Sequence, residues 1–205
     1  MAWAPDYLTV DEIKSYERID DDIDDSQLAR AITTASRAID QTTGRQFGTT
    51  DAVEARYFTA EWHRRRQRWV ITIDDVMNVT DLEVKFDTAD DGTYDGLIDH
   101  YQLKPVNAMQ LGEPWTQIVV HPSSAVQPSA LEDAVEVTAT FGWLAVPESI
   151  KQACALQASR FAARRDSPYG IAGSPDQGSE LRLLAKLDPD VVTSVRPFLR
   201  LWVAT

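Results

Sequence analysis

Apolar positions recur at helical spacing near both ends of this chain and at alternating spacing through its middle. Leu28, Ile32, Ala35 and Ile39 form one narrow apolar stripe, which predicts an amphipathic helix over residues 26–43. Gly44 follows its last turn, where a left-handed C-cap residue is favoured. Ahead of it, Thr9-Val10-Asp11-Glu12 has the spacing of a capping box, so a short helix is predicted over residues 10–16. The segment Asp20-Asp21-Asp22-Ile23-Asp24-Asp25 reads as an acidic turn whose last aspartates favour the N-terminus of the next helix. A cation site is the other reading of those carboxylates.

From about residue 53 to 143 the period changes to two. Trp69-Val70-Ile71-Thr72-Ile73 is rich in β-formers, and Leu82-Glu83-Val84-Lys85-Phe86 alternates. Val135, Val137, Ala139 and Phe141 share one face of a further strand. Tyr101-Gln102-Leu103 and Gln117-Ile118-Val119-Val120 are weaker candidates. Turns are predicted at Asp91-Gly92, Asp95-Gly96, Glu113-Pro114 and His121-Pro122.

Helix returns after Val146-Pro147, proline suiting a first helical position. Residues 150–165 are rich in alanine, which lets neighbouring helices approach closely, and Arg160, Arg164 and Arg165 suit the C-terminal end of the helix dipole. Residues 166–178 read as a long loop, residues 181–187 as a short leucine-rich helix, and Asp188-Pro189 as the start of a last piece that Pro197 stops. The fold class expected is therefore α+β. Residues 1–50 and 146–196 would form a helical bundle. Residues 51–145 would be an inserted antiparallel β-sheet or small β-barrel, and 197–205 a C-terminal docking tail.

Composition narrows the function. The 205 residues are 43% hydrophobic and 25% charged, an ordinary globular balance able to bury a core without staples. The lone cysteine, Cys154, excludes an internal disulfide and reads as a buried, inert thiol. No apolar run approaches the roughly 18 residues of a membrane span, and the N-terminus lacks the pattern of a signal peptide, so synthesis in a host cytoplasm is expected. A formal charge of −12 repels nucleic acid and argues against sequence-specific DNA binding.

Chemistry-bearing motifs are sparse. His63, His100 and His121 have no metal-site spacing, and no nucleophile elbow, P-loop or dinucleotide fingerprint is present, so no catalytic, cofactor-binding or metal residue is assigned. Asp87-Thr88-Ala89-Asp90-Asp91-Gly92 is like part of a calcium loop, but Ala89 and Ile98 stand where ligands belong; a hairpin turn is the simpler reading. Two surface candidates remain. Arg64, Arg65, Arg66 and Arg68 make the one basic run, flanked by Trp62 and Trp69. It fits a solvated hairpin turn, a contact to an acidic neighbouring subunit, or a grip on a DNA backbone. Phe198, Leu199, Leu201 and Trp202 make an apolar C-terminal segment that either folds over its own core or docks on another protein.

Four passages resemble the head-to-tail connector (adaptor) family of long-tailed phages. They are Tyr7-Leu8-Thr9-Val10-Asp11-Glu12 with the helix through Ala38-Ile39-Asp40 and Thr43-Gly44-Arg45-Gln46-Phe47; Val84-Lys85-Phe86-Asp87 through Asp91-Gly92-Thr93-Tyr94 and Tyr101-Gln102-Leu103-Lys104-Pro105; Val135-Glu136-Val137-Thr138 through Phe141-Gly142-Trp143 and Val146-Pro147; and Ala158-Ser159-Arg160-Phe161 through Arg164-Arg165-Asp166-Ser167-Pro168-Tyr169-Gly170. The resemblance implies a non-enzymatic virion protein of the head-tail neck. It implies a homo-oligomeric ring of about twelve copies below the portal protein, extending the DNA channel and offering an attachment surface to a stopper or tail-terminator protein. DNA would pass through without specific binding, and a C-terminal segment would grip the portal. The alternative functions are a carbohydrate- or receptor-binding module carried by the β-region and its tryptophans, or an acidic hydrolase.

Overall fold

The computed structural model describes residues 4–164, 171–172, 181–182 and 187–200. The chain is α+β and divides into two compact units: Met1–Phe47 with Val146–Thr205, and Gly48–Ala145.

The first unit is helical. Helix α1 (Val10–Glu17) begins with both halves of the capping box in place: Glu12 N–H donates to Thr9 Oγ1 and Thr9 N–H donates to Glu12 Oε2. Helix α2 (Asp25–Thr43) ends at Gly44, whose φ of 65° is the left-handed cap expected of glycine. All four stripe residues, Leu28, Ile32, Ala35 and Ile39, are buried. Helix α4 (Glu148–Ala163) packs along α2 through Ile150, Ala153, Cys154 and Ala158, and the small alanines permit that approach. Pro147 is the N-cap residue of α4 rather than its first helical residue, one place earlier than expected. Helix α5 (Pro189–Val195) packs on α4 through Val191 and Val195. Its N-cap Asp188 accepts from Asp190 N–H, pairs with Arg160, and donates its own N–H to Gln157 Oε1 at 3.2 Å. The expected helix at 181–187 is corrected: β9 (Ile171–Ala172) and β10 (Leu181–Arg182) pair antiparallel, and a leucine-rich run serves either period when so short. Residues 183–186 lie outside the described residues.

Near the start of this unit Tyr7 is buried, with its hydroxyl donating to Asp40 and accepting from Phe47 N–H at 3.0 Å. Burial, then the Asp40 carboxylate, pushes the Tyr7 phenol far above its ordinary value, so it stays a neutral donor. Arg37 Nε lies 3.1 Å from the other Asp40 oxygen.

The second unit holds two four-stranded antiparallel sheets, with no closed barrel. One has the order β1 (Glu54–Phe58), β8 (Val135–Ala139), β4 (Glu83–Phe86), β5 (Gly96–Leu97). The other runs β2 (Ala60–His63), β3 (Arg68–Val76), β7 (Trp115–Val120), β6 (Tyr101–Lys104). A single turn of helix, α3 (Ala108–Leu111), lies between β6 and β7. The core draws Ile71, Ile73, Val76, Ile118 and Val120 from the second sheet and Val84, Phe86, Val135, Val137 and Ala139 from the first. The face predicted for Val135, Val137, Ala139 and Phe141 is the buried one.

The ends of the inserted segment are held side by side. Thr49 bridges Gly142, Thr50 N–H donates to Phe141 O at 2.9 Å, and Trp143 N–H donates to Gly48 O at 2.8 Å. The Trp143 indole N–H donates to the buried Asp75 carboxylate at 2.8 Å, and the backbone oxygen of Asp75 accepts from Gly142. Gly142 has φ 109°, a conformation side-chain-bearing residues avoid. Asp95-Gly96, expected as a turn, is strand at Gly96. There a Cβ would stand 2.7 Å from Thr88 Cγ2, so the glycine answers to close packing opposite Phe86.

Candidate assembly surfaces

The basic run folds as the tip of the β2–β3 hairpin. Strand register sets Trp62 opposite Trp69 and His63 opposite Arg68, and residues 64–67 make the turn. The turn is held by its own bonds: Arg66 and Gln67 N–H donate to His63 O at 3.1 and 2.9 Å, and Gln67 Nε2 donates to Arg64 O at 2.7 Å. Gln67 takes φ 51° to close it. Arg64, Arg65 and Arg66 are exposed, and none forms an ion pair among the described residues. Arg68 is half-buried and donates to Gln67 O at 3.0 Å, so it supports the turn more than it extends the tip. Behind the arginines the two indoles meet edge to face, ring centroids 5.2 Å apart, with Trp62 43% exposed. The sequence places these tryptophans seven residues apart; only the hairpin register makes them a pair. A Trp on each side of a charged turn, at equal distance from its centre, is the signal that would have found it.

The apolar C-terminal segment is reached through a 3-10 turn, Arg196–Phe198. Phe198 is half-buried and stands edge-on to Phe47, centroids 5.5 Å apart at 88°. Leu199 is 38% exposed, and Arg200 N–H donates to Thr43 O at 2.8 Å. The chain is thus moored to its own bundle as far as Arg200. Leu201 and Trp202 lie outside the described residues.

The acidic turn between α1 and α2 carries an ammonium of its own chain. Lys14 Nζ pairs with Asp22 and with Asp25 (3.0 Å), and these two partners push it up to about 12. Ile23 projects between the aspartates, 84% exposed.

The calcium-like loop at Asp87–Gly92 is a hairpin closure. Asp87 turns its carboxylate inward onto the backbone, accepting from Gly92 N–H at 2.6 Å, Ala89 N–H at 3.2 Å and Asp91 N–H at 3.3 Å. Burial acts to raise this carboxyl, and the backbone donors outweigh it, so Asp87 is held below the ordinary carboxylate value. A group depressed on folding stabilises the native state above its unfolded pKa and loses that contribution as pH falls through the folded one. The Tm gap between the wild type and Asp87→Asn, wide at neutral pH, therefore closes on acidification to below the ordinary carboxylate range; a gap independent of pH would refute this role. Among the described residues no group of three or more His, Cys, Asp or Glu is placed to hold a metal ion. Cys154 is buried, and desolvation pushes its thiol up to about 11, which suppresses the reactive thiolate. Among the described residues no helix is long and apolar enough to cross a membrane.

Comparison with known proteins places the chain in a family. The sequence pattern of a family described as "Head completion protein" matches residues 6–167. The chain belongs to the head completion protein family. Its described architecture is shared by solved virus-like neck structures. One is titled "Neck of empty GTA particle computed with C6 symmetry", with TM-score 0.56, 20% identity, and coverage of 99% of this chain and 95% of that one. Another, "Neck of native GTA particle computed with C12 symmetry", has the same TM-score and identity and covers 94% of that chain. At 20% identity these likenesses speak for the fold. No curated protein matches the chain by sequence. Family membership makes this head completion protein a structural part of the head-to-tail connection, as the resemblance of the four passages implied.

Proposed function

We propose that this head completion protein is an adaptor that works by assembly and not by turnover. It forms a homo-oligomeric ring of about twelve copies below the portal protein, prolongs the DNA channel, and offers a seat to a stopper or tail-terminator protein. The observation that carries the reading is the family match across residues 6–167. The neck structures of similar fold, computed with sixfold and twelvefold symmetry, support a ring. The charge of −12 suits a channel wall that DNA slides past without adhering. Phe198 and Leu199, with Leu201 and Trp202, are the portal-docking residues in this reading. Phe198 anchors the segment on Phe47, and Leu199 after it is 38% exposed.

Deleting residues 201–205, which withdraws Leu201 and Trp202, tests the docking role while sparing the Phe198–Phe47 contact and the Arg200–Thr43 hydrogen bond. The expected result is loss of binding to the portal ring, by about 100-fold if two apolar side chains are withdrawn at ~1.5 kcal/mol each, with Tm nearly unchanged. Undiminished portal binding would remove the tail from the interface. Absence of the chain from the necks of finished particles would overturn the adaptor reading itself.

A further inference from the structure

We infer that the arginine tip of the β2–β3 hairpin seats on the acidic α1–α2 turn of a second copy of this chain, the inference resting on the ring reading above. Two surface elements of this chain are complementary in both charge and apolar character. The hairpin tip carries Arg64, Arg65 and Arg66, exposed, around the part-exposed Trp62. The α1–α2 turn carries Asp20, Asp21 and Asp22, exposed, around Ile23. Ile23 in water is an apolar side chain with no cover, and Trp62 offers an indole to cover it while the arginines meet the aspartates.

The charge balance favours this partner over a DNA backbone, and the order of the tip and the unpaired aspartates of the turn suit it. Setting the four arginines of the run aside takes the rest of the chain from −12 to −16, so another copy is a strongly attractive surface for this tip and DNA approaching the chain is repelled. The turn's internal hydrogen bonds fix the tip before contact, which lowers the ordering cost of a protein interface. Lys14 neutralises part of the acidic turn, and it does so at Asp22 and Asp25, the two aspartates nearest α2 that pair with it; Asp20 and Asp21 form no ion pair among the described residues. A tip meeting a different patch on the next copy is a heterologous contact, the kind that generates rings.

The test uses the full chain in two differently tagged forms, one carrying Ile23→Cys and the other Arg65→Cys, mixed and oxidised. The native Cys154 is buried and stays silent. Mixed disulfide dimers should form at least about tenfold faster than with a control pair in which Val106→Cys, at an exposed position, replaces Ile23→Cys, and added salt should erase the excess. Separately, Arg64→Glu/Arg65→Glu/Arg66→Glu and Asp20→Lys/Asp21→Lys/Asp22→Lys chains should each lose self-association at the contact, measured by cross-linking, and regain it when mixed, because each then meets an opposite partner. No excess over the control pair overturns the inference. So does a duplex-DNA gel shift that the arginine substitutions abolish while the excess is missing, which would assign the tip to phosphate. Excess cross-linking in a chain absent from particles would leave this contact standing and remove the adaptor reading; particles that contain the chain without the cross-link do the reverse.

Discussion

Phe47→Ala should destabilise the helical unit by about 3–5 kcal/mol, the usual range for emptying a phenylalanine site in a core. Phe47 is fully buried and is the meeting point of two ends of the chain. Tyr7 approaches its ring edge-on from the N-terminal side, centroids 5.6 Å apart, and Phe198 does so from the C-terminal side at 5.5 Å. Its backbone N–H also holds the Tyr7 hydroxyl, which in turn bonds the Asp40 carboxylate. Truncation opens a cavity beneath two aromatic contacts at once and withdraws the surface on which the last turn rests. For a chain of this length the loss corresponds to a Tm lower by ~10 °C. Phe47→Leu keeps most of the volume and should cost less than about 1.5 kcal/mol. The Ala variant should also speed proteolysis near Phe198 well beyond the Leu variant. If both variants melt together, the ring is not what anchors the C-terminal turn.

Trp143→Ala is the second large effect, in the other unit. Its indole is buried and donates to Asp75, itself nearly inaccessible. The alanine variant loses the packing of a tryptophan, about 3–5 kcal/mol, and deprives a buried carboxylate oxygen of its donor. Trp143→Phe separates the two terms: it retains most of the apolar contact and should cost about 0.5–1.5 kcal/mol, the net range for one hydrogen bond removed. Denaturant melts followed by hydrogen exchange in residues 48–50 and 141–143 give the readout. Those segments are bonded to each other, so both should lose protection together. A Phe variant as stable as wild type would show that the Asp75 bond contributes nothing net.

In the second unit Gly48-Thr49-Thr50 and Phe141-Gly142-Trp143 run side by side, so its first and last segments close it at one place. Arg56 adds to it by pairing with Asp74 at 2.7 Å while its guanidinium lies 4.2 Å from the Phe141 ring centroid.

Wherever one short stretch of residues decides the outcome, the sequence alone determined it. The Thr9–Glu12 capping box, the α2 stripe with its Gly44 cap, the buried face of β8 and the Asp91-Gly92 hairpin closure depend on side chains within a few residues of one another. The four passages that resemble head-to-tail adaptors imply the connector role, and the family match agrees. Tertiary structure alone decided what depends on which distant segments meet. Glu54-Ala55-Arg56-Tyr57-Phe58 carries too many polar residues to announce a strand, and it becomes one because β8 offers it an edge. Gly96 looks like a turn and is a strand because it pairs with Phe86, and it is a glycine because Thr88 leaves no room for a Cβ. Trp62 and Trp69 become a pair through register, and Phe198 finds Phe47 across the length of the chain. The physical reason is range: helical and strand periods are written in neighbouring residues, whereas pairing and packing are settled by a competition among all surfaces that the folded chain brings within reach.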